Sequence, residues 1–222
     1  MNRAESVAVL EAVGLVPVIR AASAKTALRA ARAMRDGGLR VVEITMTVPN
    51  ALDVLEQLAT EIGTDVLLGA GTVLDAAGAR ACIDSGAQFV VAPGLDFPTI
   101  DAVRSLDKAM VPGALTPTEV IAAWRAGADL VKVFPCSAVG GAKYIKALRA
   151  PLPEVKLLPT GGVNLHTAAE FITAGATALA VGSALVDLEL LASHGDAVLA
   201  DRAREFLAVV QNARRATATP TA

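Results

Sequence analysis

Two ionisable residues stand inside apolar runs: Glu43 in VVEIT and Lys132 in LVKVFP. Side chains alternate along an extended segment, so Leu130, Lys132 and Phe134 share one face while Val131 and Val133 take the other. The β-branched pair suits packing on helices, which turns Lys132 inward. Burial there disfavours the ammonium, lowers the pKa from an ordinary ~10.4 and leaves more free amine, the form that attacks a carbonyl and makes a Schiff base. The other five lysines lack this setting. Lys25, Lys143 and Lys146 lie on helical patterns, Lys108 adjoins a turn, and Lys156 opens its run just after Pro153-Glu154. The plain alternatives are a Lys132 that merely neutralises Glu43, although buried pairs seldom stabilise a fold, and a Glu43 that reaches solvent at a strand end.

Two glycine turns carry a second chemistry. PTGGV (159–163) and AVGSAL (180–185) expose backbone N–H groups, which bind an anion such as phosphate, aided by a helix N-terminus. The alternative is a pair of ordinary tight turns. Thr72 in GAGT and Arg20 at the end of VPVIR offer a hydroxyl and a cation for a carboxylate or second anion. Cys82, Cys136, His166 and His194 are the only cysteines and histidines, too few and too scattered for a structural zinc site. A metal held by carboxylates alone has no motif to support it. Cys136 reads as an inert thiol and His166 as part of a helix's first turn.

What positions these groups is a repeat. Apolar runs centred on Val18, Val42, Leu67, Val90, Val111, Lys132, Leu157 and Leu179 follow one another every 21 to 25 residues. Each reads as a strand covered on both faces, with room between for one crossover helix. Gly37-Gly38, Gly86, Gly127 and Gly175 end four of those helices just before the next strand. Eight such units close most naturally as a (β/α)8 barrel, an α/β fold whose active site lies at the strand C-termini. Barrels of this kind frequently bind phosphate after strands seven and eight, where the glycine turns fall. An open doubly wound sheet is the alternative, but its GxGxxG fingerprint fails at Leu74. Residues before Val16 form an extra amphipathic helix, with Val9, Leu10 and Val13 on one side, suited to plug the barrel bottom. With no linker in the 222 residues, we expect one domain over 1–222, with a disordered tail at 216–222.

Composition narrows the function further. A net charge of −2 gives no basic surface for nucleic acid or anionic membranes. Hydrophobic residues reach 54%, but the longest apolar stretch, 174–186, is shorter than the ~20 residues of a bilayer span. Glu5 and Glu11 spoil a signal peptide, so a cytoplasmic protein is expected. Charged residues make up 19%, below the usual ~25%, which suggests surface covered by further copies of the chain.

The set EIT, GAGT, PG with TPTE, VKVFP, and PTGGV with VGSAL resembles, in order and spacing, the 2-keto-3-deoxy-6-phosphogluconate (KDPG) and 4-hydroxy-2-oxoglutarate (KHG) aldolases. The likeness runs from Val16 to about Gln211. It implies a metal-free, cofactor-free class I aldolase, commonly a homotrimer, cleaving a phosphorylated 2-keto acid to pyruvate and glyceraldehyde 3-phosphate. By the same resemblance Lys132 is the imine-forming lysine and Glu43 the proton-transferring acid/base. Thr72 holds the pyruvyl carboxylate, in a pyruvate-binding set with Arg20, Thr47, Pro93, Phe134 and Thr160, while Gly161, Gly162, Gly182 and Ser183 cradle phosphate. One position departs: some members carry Arg where Thr47 stands, and others share its TVP. Competing readings are the galactonate epimer as substrate, a sugar-phosphate isomerase or synthase that makes no imine, and a noncatalytic oligomeric scaffold.

Overall fold

Two cores form because every strand has two apolar faces. In the computed structural model, which describes residues 1–63 and 65–218, the strands are β1 (Leu15–Ile19), β2 (Val41–Thr45), β3 (Leu67–Gly71), β4 (Phe89–Val91), β5 (Ala109–Val111), β6 (Gly113–Ala114), β7 (Val131–Val133), β8 (Leu157–Pro159) and β9 (Leu179–Val181). All pair in parallel, in the order β5-β4-β3-β2-β1-β9 and β6-β7-β8. A bridge between Thr160 and Ala180 joins β8 to β9, and β5 continues into β6 after one residue, so the ring closes as a barrel. The fifth expected strand is therefore split. Pro112 lacks an N–H, so it only accepts, from Lys132 N, and its neighbour Gly113 bonds to Gly94 O instead.

Val18, Val41, Leu67, Phe89, Val111, Leu130 and Leu158 point into the barrel, while Ile19, Val42, Leu68, Val90, Val131 and Val133 pack against the helices. The inward set is closed at the strand N-termini by α1 (Arg3–Val13), whose Leu10 is buried among it, as the sequence pattern predicts. Leucine burial of this kind contributes about 1.5–3 kcal/mol. Arg3 grips Asp129 through two bonds of 2.9 and 3.1 Å, which fastens the plug.

The crossover helices are α2 (Ala24–Asp36), α3 (Ala51–Ile62), α4 (Ala76–Asp84), α5 (Phe97–Ser105), α6 (Pro117–Arg125), α7 (Ala142–Arg149) and α8 (Ala168–Thr173). The last crossover divides at Gly195 into α9 (Leu188–His194) and α10 (Asp196–Ala218). Gly38, Gly86, Gly127 and Gly175 all take left-handed conformations just past helix ends. At the C-terminus the structure corrects one expectation. Residues 216–218 extend α10, with the Thr217 hydroxyl bonded to the Ala213 and Arg214 carbonyls, while 219–222 of the expected tail lie outside the described residues. No helix among the described residues is long and apolar enough to cross a membrane.

Candidate active site

Strand alternation carries Lys132 into the barrel, 5% exposed, beside Gly113 on one neighbouring strand and Leu158 on the other. Its Nζ lies 5.1 Å from the centroid of the Phe134 ring, one pleat nearer the C-terminal rim. Burial lowers the pKa of Lys132. The Glu43 charge opposes that shift, the Arg20 guanidinium adds to it, and the net direction is down.

Glu43 is fully buried, and both its carboxyl oxygens are without hydrogen-bond partners. Burial raises its pKa against the pull of Lys132 and Arg20. No ion pair joins Glu43 to Lys132 among the described residues, so the simple neutralising pair is not what the barrel contains. Nor does Glu43 reach solvent. Burial thus shifts each group in the direction of its neutral form.

Room for the carboxyl comes from Gly71, where any Cβ would collide with the Glu43 side chain, and Gly69 makes the same space for the Phe89 ring. These glycines were not among the expected site residues. Their signal was present all the same: two glycines two residues apart on the inward face of a strand leave a hole that a neighbouring side chain must fill.

Above this pair, a cavity of about 850 Å³ opens at the C-terminal ends of β1, β7, β8 and β9. It brings together Arg20, Phe134, Thr160, Gly161–Gly162 and Gly182–Ser183. Lys132 and Glu43 lie inside the barrel and do not line it, and Thr47, Thr72 and Pro93 follow the strand ends of β2, β3 and β4 outside its lining. The Thr160 hydroxyl is buried without a partner. Thr72 is held at φ 60°, a left-handed conformation that costs a β-branched residue on the order of 1–3 kcal/mol. Thr45 donates its one hydroxyl proton to Ile19 O, so in the 2.8 Å contact between the two threonines Thr47 is the donor. That commits Thr47's proton within the protein.

Gly161 and Gly162 take φ 94° and 79°, and a Cβ on Gly162 would press on Ser137 at 2.6 Å. Side chains take up backbone N–H groups in both segments behind the glycine turns, in the turn before α8 and at the start of α9 itself. Asn164 Oδ1 accepts from His166 N and Thr167 N, and Asp187 Oδ1 accepts from Glu189 N and Leu190 N. The sequence reading also missed Arg202, which reaches the cavity from α10, because nothing local marks a helical arginine as facing a loop twenty residues earlier. Cys82 and Cys136 are buried thiols pushed up to about 11, which keeps them protonated and unreactive. No group of three or more His, Cys, Asp or Glu among the described residues is arranged to hold a metal ion.

Comparison with known proteins gives a consistent set. A family model described as KDPG and KHG aldolase matches residues 7–200. A 2-dehydro-3-deoxy-phosphogluconate aldolase of Pseudoalteromonas atlantica is 35% identical over 159 residues, spanning 72% of this chain and 74% of its own. The KHG/KDPG aldolase of Escherichia coli is 32% identical over 177 residues, 80% of this chain and 83% of its own. Among solved structures, a Legionella pneumophila KDPG aldolase with pyruvate captured as a covalent carbinolamine superposes with a TM-score of 0.82 at 30% identity, covering 90% of this chain and 96% of that one.

Proposed function

The chain belongs to the KDPG and KHG aldolase family, and from that premise we propose that it cleaves 2-keto-3-deoxy-6-phosphogluconate to pyruvate and glyceraldehyde 3-phosphate through an imine on Lys132, with 4-hydroxy-2-oxoglutarate as a second substrate. The observation that carries the reading is a Lys132 buried in the barrel with no ion pair among the described residues, together with a buried Glu43 whose carboxyl oxygens accept no hydrogen bond. A scaffold has no use for two such groups, and an isomerase or synthase that makes no imine has no need of a lysine held as free amine.

In the proposed reaction the Lys132 amine adds to the C2 carbonyl. Glu43, whose burial favours the protonated form, gives its proton to the departing hydroxyl, so water leaves and a protonated imine forms. The carboxylate thus created takes the C4 hydroxyl proton. The C3–C4 bond breaks, its electron pair moves into the imine to give an enamine, and glyceraldehyde 3-phosphate departs. Glu43 then returns the proton to C3, and hydrolysis of the imine frees pyruvate. Raising the carboxyl's pKa toward the working range suits it to both giving and taking a proton.

Thr72, Arg20, Thr160, Pro93 and Phe134 are proposed to hold the pyruvyl end. Thr47 belongs to that set as a backbone neighbour more than as a proton donor, since its proton is committed to Thr45. The turns Gly161–Gly162 and Gly182–Ser183 are proposed to take the phosphate.

We further propose a homotrimer working in the cytoplasm. Leu74, 68% exposed on the loop after β3, and Phe97, 51% exposed at the first residue of α5 after the adjacent β4, are apolar surface that an oligomer would cover. Light scattering should give three times the chain mass, and a monomer at micromolar concentration removes this part. The activity itself is tested by pyruvate release from the phosphorylated substrate after dialysis against EDTA. We expect full turnover, whereas restoration only by added Mg²⁺ or Mn²⁺ would assign the enzyme to the metal-dependent class.

A further inference from the structure

We propose that Arg202 of α10 is a specificity-determining residue, supplying the positive charge at the phosphate end of the cavity. This rests on the aldolase reading above and deepens it.

A phosphate dianion held on backbone N–H groups alone still needs a compensating charge, which a helix N-terminus or a cation supplies. Here the start of α9, behind the β9 turn, is already occupied by the Asp187 side chain. A cation suits this work, and the cavity is lined by two, Arg20 and Arg202. Arg20 follows β1, whose Val18 pairs with Glu43 on β2, and its charge acts on both Glu43 and Lys132, whereas Arg202 is tied to the β9 turn.

Arg202 is fixed where the phosphate would sit. Its Nε donates to the carbonyl of Ala184, the residue after Ser183, so the guanidinium is anchored to the β9 turn itself. Its helix is held by the neighbours Leu199, Ala203 and Phe206, all buried in the outer core. The two terminal nitrogens make no hydrogen bond or ion pair among the described residues, which leaves that end of the fork for a ligand. The same cavity is lined by Asp187 and Glu189. Without Arg202 these two carboxylates would face a phosphate with Arg20 as the one remaining cation of the lining.

The test compares KM for KDPG and for 4-hydroxy-2-oxoglutarate, which has no phosphate, in Arg202→Gln, Arg202→Lys and Gly162→Asp. Gln keeps an N–H donor for the Ala184 carbonyl while removing the charge. Loss of a charge-assisted contact corresponds to about 10- to 100-fold in affinity. R202Q should therefore raise KM for the phosphorylated substrate at least tenfold more than KM for the other, with R202K between it and wild type. If G162D shows the selective rise and R202Q does not, Arg202 plays no part and the proposal fails while the phosphate cradle stands. The proposal fails equally if R202Q and R202K lose both substrates alike, since Arg202 is then a prop for the loop. If G162D is not selective either, the phosphate reading of the turns falls first and takes the proposal with it.

Discussion

Two buried acids in the same ring of strands are treated in opposite ways. Asp129, at the plugged end just before β7, accepts two bonds from Arg3 and a third from the Met110 amide at 2.9 Å. Glu43, in the middle of β2, accepts none. A buried carboxylate left without partners costs free energy that a fully bonded one recovers. The plugged end is thus arranged for stability, and the open end holds an acid and an amine in forms that stability alone would not select.

Removing each acid should expose this contrast. Glu43→Gln should slow retro-aldol cleavage by the ~10²–10⁴-fold expected for a lost acid/base, while its melting temperature stays equal to or above wild type. The melting comparison also has a sign in pH. Because the folded-state pKa of Glu43 is raised above the ordinary 4.5, the native state holds the proton longer than the unfolded chain, so the carboxyl's contribution to stability falls as pH climbs above that value. The stability advantage of E43Q should accordingly widen as pH rises from about 4.5, and an advantage that shrinks over that range would mean the carboxylate is satisfied after all.

Asp129→Ala should do the reverse. Breaking a buried pair costs about 3–5 kcal/mol, but Arg3 is a third exposed and keeps some solvation, so about 2–4 kcal/mol is expected from denaturant unfolding. Its kcat/KM should stay within about twofold of wild type. A large loss of activity with unchanged stability would erase the distinction between the two ends.

Much of this contrast was legible in the sequence. Lys132 and Glu43 stood out because a charge inside an apolar strand has few structural uses, and the barrel followed from the even spacing of the runs. Thr160, Gly161, Gly162, Gly182 and Ser183 were found because a strand's C-terminal end has a fixed place in such a barrel, and the structure brings them to one cavity. Features that depend on pairs distant in sequence were not readable. The split of the fifth strand follows from the missing N–H of Pro112 together with the close approach of Gly113 to the Pro93 backbone. Arg202 reaches Ala184 only through the packing of α10. The capping of α9 by Asp187 occupies the helix N-terminus behind AVGSAL, and residues 216–218 continue a helix that composition had assigned to a tail.

The central claim is that Lys132 is the amine that bonds to substrate, and borohydride trapping tests it most directly. Pyruvate plus borohydride should add one reduced pyruvyl group to the peptide containing Lys132 and inactivate the protein. Lys132→Arg, which keeps a cation but cannot form an imine, should give no adduct and nearly no turnover. An adduct on Lys156 or Lys143, or wild-type turnover in K132R, would contradict the account.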